Sequence, residues 1–287
     1  MKRVYILVGM MILFSAFYTV KEHLKQPKAL ESITFFPIAT NVAFKTASTS
    51  LNLTGQKILW RIHSTLDRQA YLRQDAGLLY SNGRLIGTLA DWKQHTDSLS
   101  QTKAISALEN ALWQAITFHH AELHEKGEDI FSAQRMTQDQ LYVIKQTSDS
   151  YIGFHTPKTA AQSRWKTNLD EQTRRMLQYS LNKGVRHYRI HLDEYDVYPL
   201  DVFSKRASNH FPGFNKEETA MFIGRLWEGL YKNYLLGIKK QDGTIIDPKG
   251  STLPLILIAK DKTHLLVLTE TAKGEPILLR QMIEGVD

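Results

Sequence analysis

Cysteine is absent from all 287 residues. That excludes disulfides, thiol nucleophiles, iron–sulfur clusters, lipidated cysteines and every zinc site built on cysteine. Gly-x-Ser-x-Gly, the P-loop, His-Glu-x-x-His and the glycine-rich dinucleotide fingerprint are absent too, so no motif points to an enzyme class or to a small-molecule cofactor. No unit of roughly 20–50 residues repeats, and no segment is of low complexity. Basic residues never form a run of five: Lys and Arg number 36 against 29 Asp and Glu, and the net +7 is spread along the chain. Such a diffuse excess suits an anionic lipid surface or surface polymer and leaves nucleic-acid recognition without a motif. What remains, 43% apolar and 23% charged residues, is the composition of a soluble globular chain, neither disordered nor polytopic.

One apolar run stands out. Met1-Lys2-Arg3 precedes Val4–Val20, seventeen residues without a charge, closed by Lys21. As a helix it would span about 25 Å, slightly less than a hydrocarbon core of about 30 Å. Tyr18, Lys21 and Lys25 extend it into the interface. A cleaved signal peptide needs small residues before the cut, whereas cuts after Ala16 or Thr19 would place Phe14 or Phe17 in the critical position. The run is also apolar on all sides, unlike the single stripe of a core helix. The expectation is a retained signal-anchor over 4–20 that contacts membrane lipid, with residues 1–3 cytoplasmic and the bulk of the chain extracytoplasmic. Basic residues flank both ends almost equally, so the orientation rests on the shortness of the tail. No later run is long enough for a second crossing, which makes the chain single-pass. A chain this long can bury a core without disulfide staples, and a bacterial cell envelope is the economical setting.

Beyond the anchor, residues 21–50 read as a stalk that leads into packed structure, since Phe35, Phe36, Ile38 and Phe44 are too apolar for water. Ile58, Ile62, Leu66 and Ala70 recur every fourth residue and predict a helix over 56–74. Asn82-Gly83 between two apolar runs predicts a hairpin, because both residues tolerate positive φ. Ile105, Leu108, Leu112, Ile116, His119 and Leu123 predict a second helix over 101–125, with His119 as a hydrogen-bonded core residue. A second hairpin joins 141–146 to 151–156, and 170–182 reads as helix stopped by Gly184. Alternation over 185–193 predicts a strand, Asn215–Glu218 a capped helix start, and 235–239, 253–259, 264–269 and 276–282 an antiparallel meander. With no regular strand–helix alternation, the fold class expected is α+β: a transmembrane helix, then mixed helices and antiparallel hairpins, then a C-terminal β-meander. The division into parts is placed near 157–168, giving 51–160 and 161–287, with a single domain over 51–287 as the alternative.

Chemistry has few candidates. Ser100-Gln101-Thr102-Lys103 and Tyr80-Ser81-Asn82 superficially resemble elements of penicillin-recognising serine enzymes, but in reversed order and with no Lys-Thr-Gly to follow, and Asn82 is explained by its turn. His120 and His124, four apart on the predicted helix with Glu122 beside them, would share one face as metal ligands, yet no third ligand is visible. On the predicted strand 185–193, alternation places His187, Arg189, His191 and Asp193 on one face. Arg189 repels a cation there, so His187, Arg189 and His191 are candidates for binding an anion or a partner. The expected function is a membrane-anchored, extracytoplasmic binding module with a regulatory or assembly role, its partner a protein or an anionic surface polymer. The alternative is an anchored hydrolase assembled from His120, Glu122, His124, His187 and Asp193.

Overall fold

Strand, not helix, dominates the chain. In the computed structural model the described residues are 36–283, apart from 40, 108, 125–128, 148–149, 203–213 and 240–242. Of these, 54% are strand and 25% helix, built around a nearly closed, barrel-like sheet. This corrects the α+β expectation. The predicted transmembrane span 4–20 and most of the stalk lie outside the described residues, among which no helix is long and apolar enough to cross a membrane.

The main sheet comprises β1 (Phe44–Thr54), β2 (Lys57–Ser81), β3 (Arg84–Ser106), β4 (Ala111–His124), β5 (Ile130–Lys145) and β6 (Tyr151–Phe154). Its order is β1-β2-β4-β5-β6 with β3 also on β2, and every pairing is antiparallel. The first half of the long β2 lies between β1 and β3, and its second half between β3 and β4. That hand-over curls the sheet until β1 meets β5: the Leu51 amide donates to Asp139 Oδ2 at 2.7 Å and Thr49 meets Thr137, hydroxyl to hydroxyl, at 2.7 Å.

The predicted helix over 56–74 is therefore a strand. Spacing of four satisfies a period of two as well as one of 3.6, and Trp60 and Ser64, between the apolar positions, point inward with them. The helix over 101–125 fails for a related reason. It covers the end of β3, a connection and all of β4, which is buried on both faces from Ala111 to Ala121, so alternation between wet and dry sides disappears. The turn between β2 and β3 does hold Asn82 and Gly83 at φ 47° and 74°, the backbone that joins twisted strands in two residues.

One helix face and one sheet face close the rest. α1 (Ala160–Tyr188) begins at the Thr159 cap and runs through Gly184 to Arg189, which ends it in the left-handed conformation. Residues 185–188 are thus helical, not the start of a strand: Val185 and Tyr188 continue the stripe of Leu177, Leu181 and Gly184. A short 3-10 turn, Leu192–Glu194, leads to β7 (Tyr195–Pro199). α2 (Lys216–Tyr231) opens with a full capping box between Asn215 and Glu218 and passes into a π-turn at Lys232–Leu236. The small pair β8 (Ile238–Lys239) and β9 (Ile245–Ile246) precedes β10 (Leu255–Ala259), β11 (His264–Glu270) and β12 (Pro276–Met282), which form a second antiparallel sheet in the order β12-β11-β10-β7.

The two largest apolar cores lie on opposite faces of the main sheet. Trp60, Ile62, Leu79, Trp113 and Leu141 fill the inside of the curl. On the other face of the main sheet, Leu78, Tyr80 and Phe118 pack against Leu181 of α1, Trp227 of α2 and Ile256 of the second sheet, with Phe118 stacked on Trp227 at 5.1 Å. The faces alternate along β2 and β4, so Arg73, Asp75 and His119 point into the curl while Gln74 and Gln114 point toward the helical side.

Candidate functional site

The sequence candidates separate in the fold. His187, Arg189 and His191 are exposed and share no strand face: His187 is in the last turn of α1, where its ring lies edge-on to Tyr188, Arg189 ends that helix, and His191 precedes the 3-10 turn. His120 and His124 stand on β4, not on a helix. His124 is paired with Glu122 at 2.5 Å and stacked on Tyr71 at 3.9 Å, while His120 is buried and meets Ser132 Oγ at 3.3 Å. Among the described residues no three His, Asp or Glu gather as a metal site. Burial and the positive charge of Arg73, against the opposing charge of Asp75, lower His120 to about 4, so its imidazole is neutral at physiological pH.

Inside the curl lies a polar network without a sequence signature. Ser64 donates to Asp75 Oδ2 at 2.6 Å and receives Arg73 Nη2 at 2.5 Å, and Arg73 lies 3.5 Å from Asp75 Oδ1. His119 Nε2 is 2.8 Å from Thr137 Oγ1, which meets Thr49 Oγ1. Arg73 also donates to the carbonyls of His120 and Asp97 and sits over the Phe44 ring at 4.9 Å. Burial lowers its pKa and the adjacent Asp75 opposes that. The order carboxylate–imidazole–hydroxyl resembles a hydrolytic relay, but His119 Nδ1 makes no hydrogen bond to Asp75 although it lies 3.0 Å from Oδ2. However, Arg73, Asp75 and His119 have no exposed side-chain surface, and Thr137 is held on its other side by Thr49. The network ties β1, β2, β3, β4 and β5 together inside the curl.

An open site lies on the opposite face. A cavity of about 500 Å³ is enclosed by β4 and β5, the inner face of α1, and the chain around β7 and β10. Its lining sets Leu112, Leu177, Leu181, Val197 and Leu255 beside polar and charged residues, among them Gln140, Arg174 and Gln178. On one wall Tyr142 donates to Asp170 Oδ1 at 2.7 Å, Lys166 pairs with Asp170 Oδ2 and lies 5.0 Å from the Tyr142 ring centre. Burial, with the bond to Asp170, pushes the Tyr142 phenol up to about 12. Burial lowers the Lys166 ammonium, but its bonds to Asp170 and Tyr142 outweigh that and hold it above its ordinary value. The triad Lys166–Asp170–Tyr142 is therefore an internally satisfied ion pair with a neutral phenol.

Two polar atoms of lining residues have no partner among the described residues. Gln114 on β4 is only 4% exposed; its Nε2 donates to Asp201 Oδ2 at 3.0 Å, and its Oε1 is buried without a described partner. Thr173 on α1 is 6% exposed, and its hydroxyl is buried without one either. Both line the cavity. Glutamine and threonine in such places carry no signal legible from one sequence, which is why neither was a candidate above.

No family model matches the chain, and no curated protein matches it. Solved structures with local likeness include the CARDB domain of a Pyrococcus furiosus protein in complex with di-metal ions, at 7% identity over 39% of this chain and 99% of that one, with a TM-score of 0.22. Another is Bacteroides uniformis β-glucuronidase 2 covalently bound to cyclophellitol-6-carboxylate aziridine, at 10% identity, 41% of this chain, 15% of that chain and a TM-score of 0.21.

Proposed function

We propose that this chain is a binding module tethered to a membrane through residues 4–20, with its folded body extracytoplasmic, and that the cavity between the main sheet and α1 takes its ligand. The observation that carries the reading is the cavity itself, about 500 Å³ in volume, whose lining sets Leu112, Leu177 and Leu181 beside Gln114, Lys166 and Asp170. Apolar walls with a few convergent polar groups around a space of small-molecule size are the usual make-up of a ligand site. The diffuse +7 supports a station beside an anionic surface. Binding, in this reading, serves regulation or assembly. The hydrolase alternative draws less from the geometry: Glu122 and His124 pair with each other on β4, whereas His187 lies in the last turn of α1 and Asp193 in the 3-10 turn after it.

Two measurements test this. Membranes carrying the full chain should retain it through a high-salt wash, and a reporter fused after Asp287 should lie outside the cytosol; release by salt, or a cytosolic reporter, overturns the tethered arrangement. Thermal unfolding of the full chain against blocked amino acids, fatty acids and monosaccharides should show a ligand-dependent rise that Leu177→Trp, which fills the cavity, abolishes. A wild type unmoved by every probe, or a Leu177→Trp variant that responds equally, overturns the cavity as the binding site.

A further inference from the structure

The net +7 is diffuse along the sequence but not in the fold. α1 carries six Lys or Arg against two acidic residues, a net +4 on one helix. Lys166 and Lys183 are taken up by Asp170 and Glu270. The other four are arginines, and all are exposed. Arg164, Arg175 and Arg186 stand eleven residues apart, and eleven residues make three helical turns, so the three align on the outer side of α1 at intervals of about 16 Å. Arg174 stands beside them with 78% of its side chain in solvent. One acid accompanies the four: Glu171 lies 2.5 Å from Arg175 and 3.8 Å from Arg174. Among the described residues no ion pair holds Arg164 or Arg186, and Lys158 and Arg189 add exposed charge at the two ends. Trp165 and Tyr179, 38% and 62% exposed, flank the line on one shoulder. We infer that this face docks α1 lengthwise on anionic phospholipid headgroups; the inference rests on the tethered reading above.

Charge complementarity sets the sign of the partner, since a line of like charges with a single acid beside it repels itself until an anionic surface meets it. Arginine at all four positions favours phosphate, whose oxygens a planar guanidinium meets two at a time. The side chains between the arginines, Asn168, Gln172, Gln178 and Asn182, are polar. A protein partner would therefore find no apolar centre to bury, and specific protein interfaces have one. Tryptophan and tyrosine, in contrast, settle at the headgroup level of a bilayer. A straight row of cations needs no matching shape on a surface of repeated charges. The tether also keeps that surface at high effective concentration, so a weak attraction per residue suffices.

The chain has no cysteine, so Asn168→Cys supplies a single labelling position on this face. The full chain, labelled there with bimane and reconstituted in lipid nanodiscs, is read by quenching from phosphatidylcholine that carries a spin label on its headgroup. Discs containing about one-third phosphatidylglycerol should quench several-fold more than phosphatidylcholine alone, and about 0.5 M NaCl should remove the difference. Replacing Arg164, Arg175 and Arg186 together by Gln should lower docking roughly a hundredfold, about fivefold for each arginine. Lys at the same three positions should keep most of it, and both triple variants should melt with their parent, because surface replacements cost little. Equal quenching in the two lipids, or in the triple Gln variant and its parent, overturns the docking face. Should polyglycerol phosphate bind through the same arginines while phosphatidylglycerol leaves the label unquenched, the lipid assignment falls to a surface polymer. A chain that does not enter the discs overturns the tether alone. Flotation of that labelled chain with phosphatidylglycerol vesicles, lost in the triple Gln variant, then upholds the docking face, and absence of flotation overturns it.

Discussion

His119 Nδ1 lies 3.0 Å from Asp75 Oδ2, and neither side chain has any exposed surface. Asp75 thus answers two buried groups at once, the imidazole on one side and the Arg73 guanidinium at 3.5 Å on the other. Removing one member of a buried ion pair leaves the other uncompensated, typically at about 3–5 kcal/mol. Asp75→Leu and Arg73→Met should each destabilise the fold by about that much. The double variant should lose clearly less than their sum, because no lone charge remains. Denaturant unfolding of the four proteins measures this cycle; simple additivity within about 0.5 kcal/mol would show that the two side chains act independently.

His120 sets a pH limb. Burial first, and the Arg73 charge next, hold it near 4, below the ordinary value of 6.5. The unfolded chain therefore binds the extra proton between these values, and stability rises with pH across the window and is flat above it. The shift is worth about 3 kcal/mol at 1.36 kcal/mol per unit. Between pH 6.5 and 4, wild type should lose about that much more stability than His120→Gln, as read from urea midpoints. Equal slopes for both would mean that the imidazole titrates normally.

Gly77 is a space requirement rather than a conformational one. It lies on β2 facing the inside of the curl, and a Cβ there would meet Ile62 Cδ1 at 2.5 Å and Trp60 Cζ2 at 2.6 Å. Those side chains belong to a filled core and have nowhere to withdraw. Gly77→Ala should cost about 1–3 kcal/mol through overpacking. A melting temperature equal to wild type would indicate slack that the packing does not reveal.

What was legible in the chain was local chemistry. Asn82-Gly83 announced its turn, Asn215 and Glu218 their capping box, and the short apolar runs after residue 253 their strands, because each signal is complete within a few residues. The long strands were not legible. Their apolar residues at 58, 62, 66 and 70 fit helix and strand alike, and β4 lost its alternation because both faces are covered by parts of the chain far away in sequence. Residues 185–193 misled in the opposite direction, since their alternation runs across the last turn of α1, its left-handed end at Arg189 and the start of a 3-10 turn. The candidate site was hidden for a further reason: its lining comes from β4, β5, α1, β7 and β10, and a cavity is a property of the assembled walls. His119, expected as a hydrogen-bonded core residue, was the sequence hint of the interior network.

Glu270 presents the reverse asymmetry to Asp75. It is 4% exposed, at the end of β11, and its carboxylate stands 3.3 Å from Arg84 Nη2 and 3.5 Å from Lys183 Nζ, joining β3, α1 and the second sheet. The two cations keep 37% and 35% of their side chains in solvent. Losing one of them leaves the carboxylate its other partner, so Arg84→Ala and Lys183→Ala should each cost no more than about 1 kcal/mol, as for ordinary surface pairs. Losing both strands a buried anion, and the double variant should cost about 3–5 kcal/mol. Adding Glu270→Gln to that double variant removes the stranded charge and should recover a good part of the loss. Glu270→Gln alone should be mild, since water solvates both cations. Chemical denaturation of these five variants distinguishes this from an additive surface network, in which the double loss would equal the two single losses and Glu270→Gln would rescue nothing.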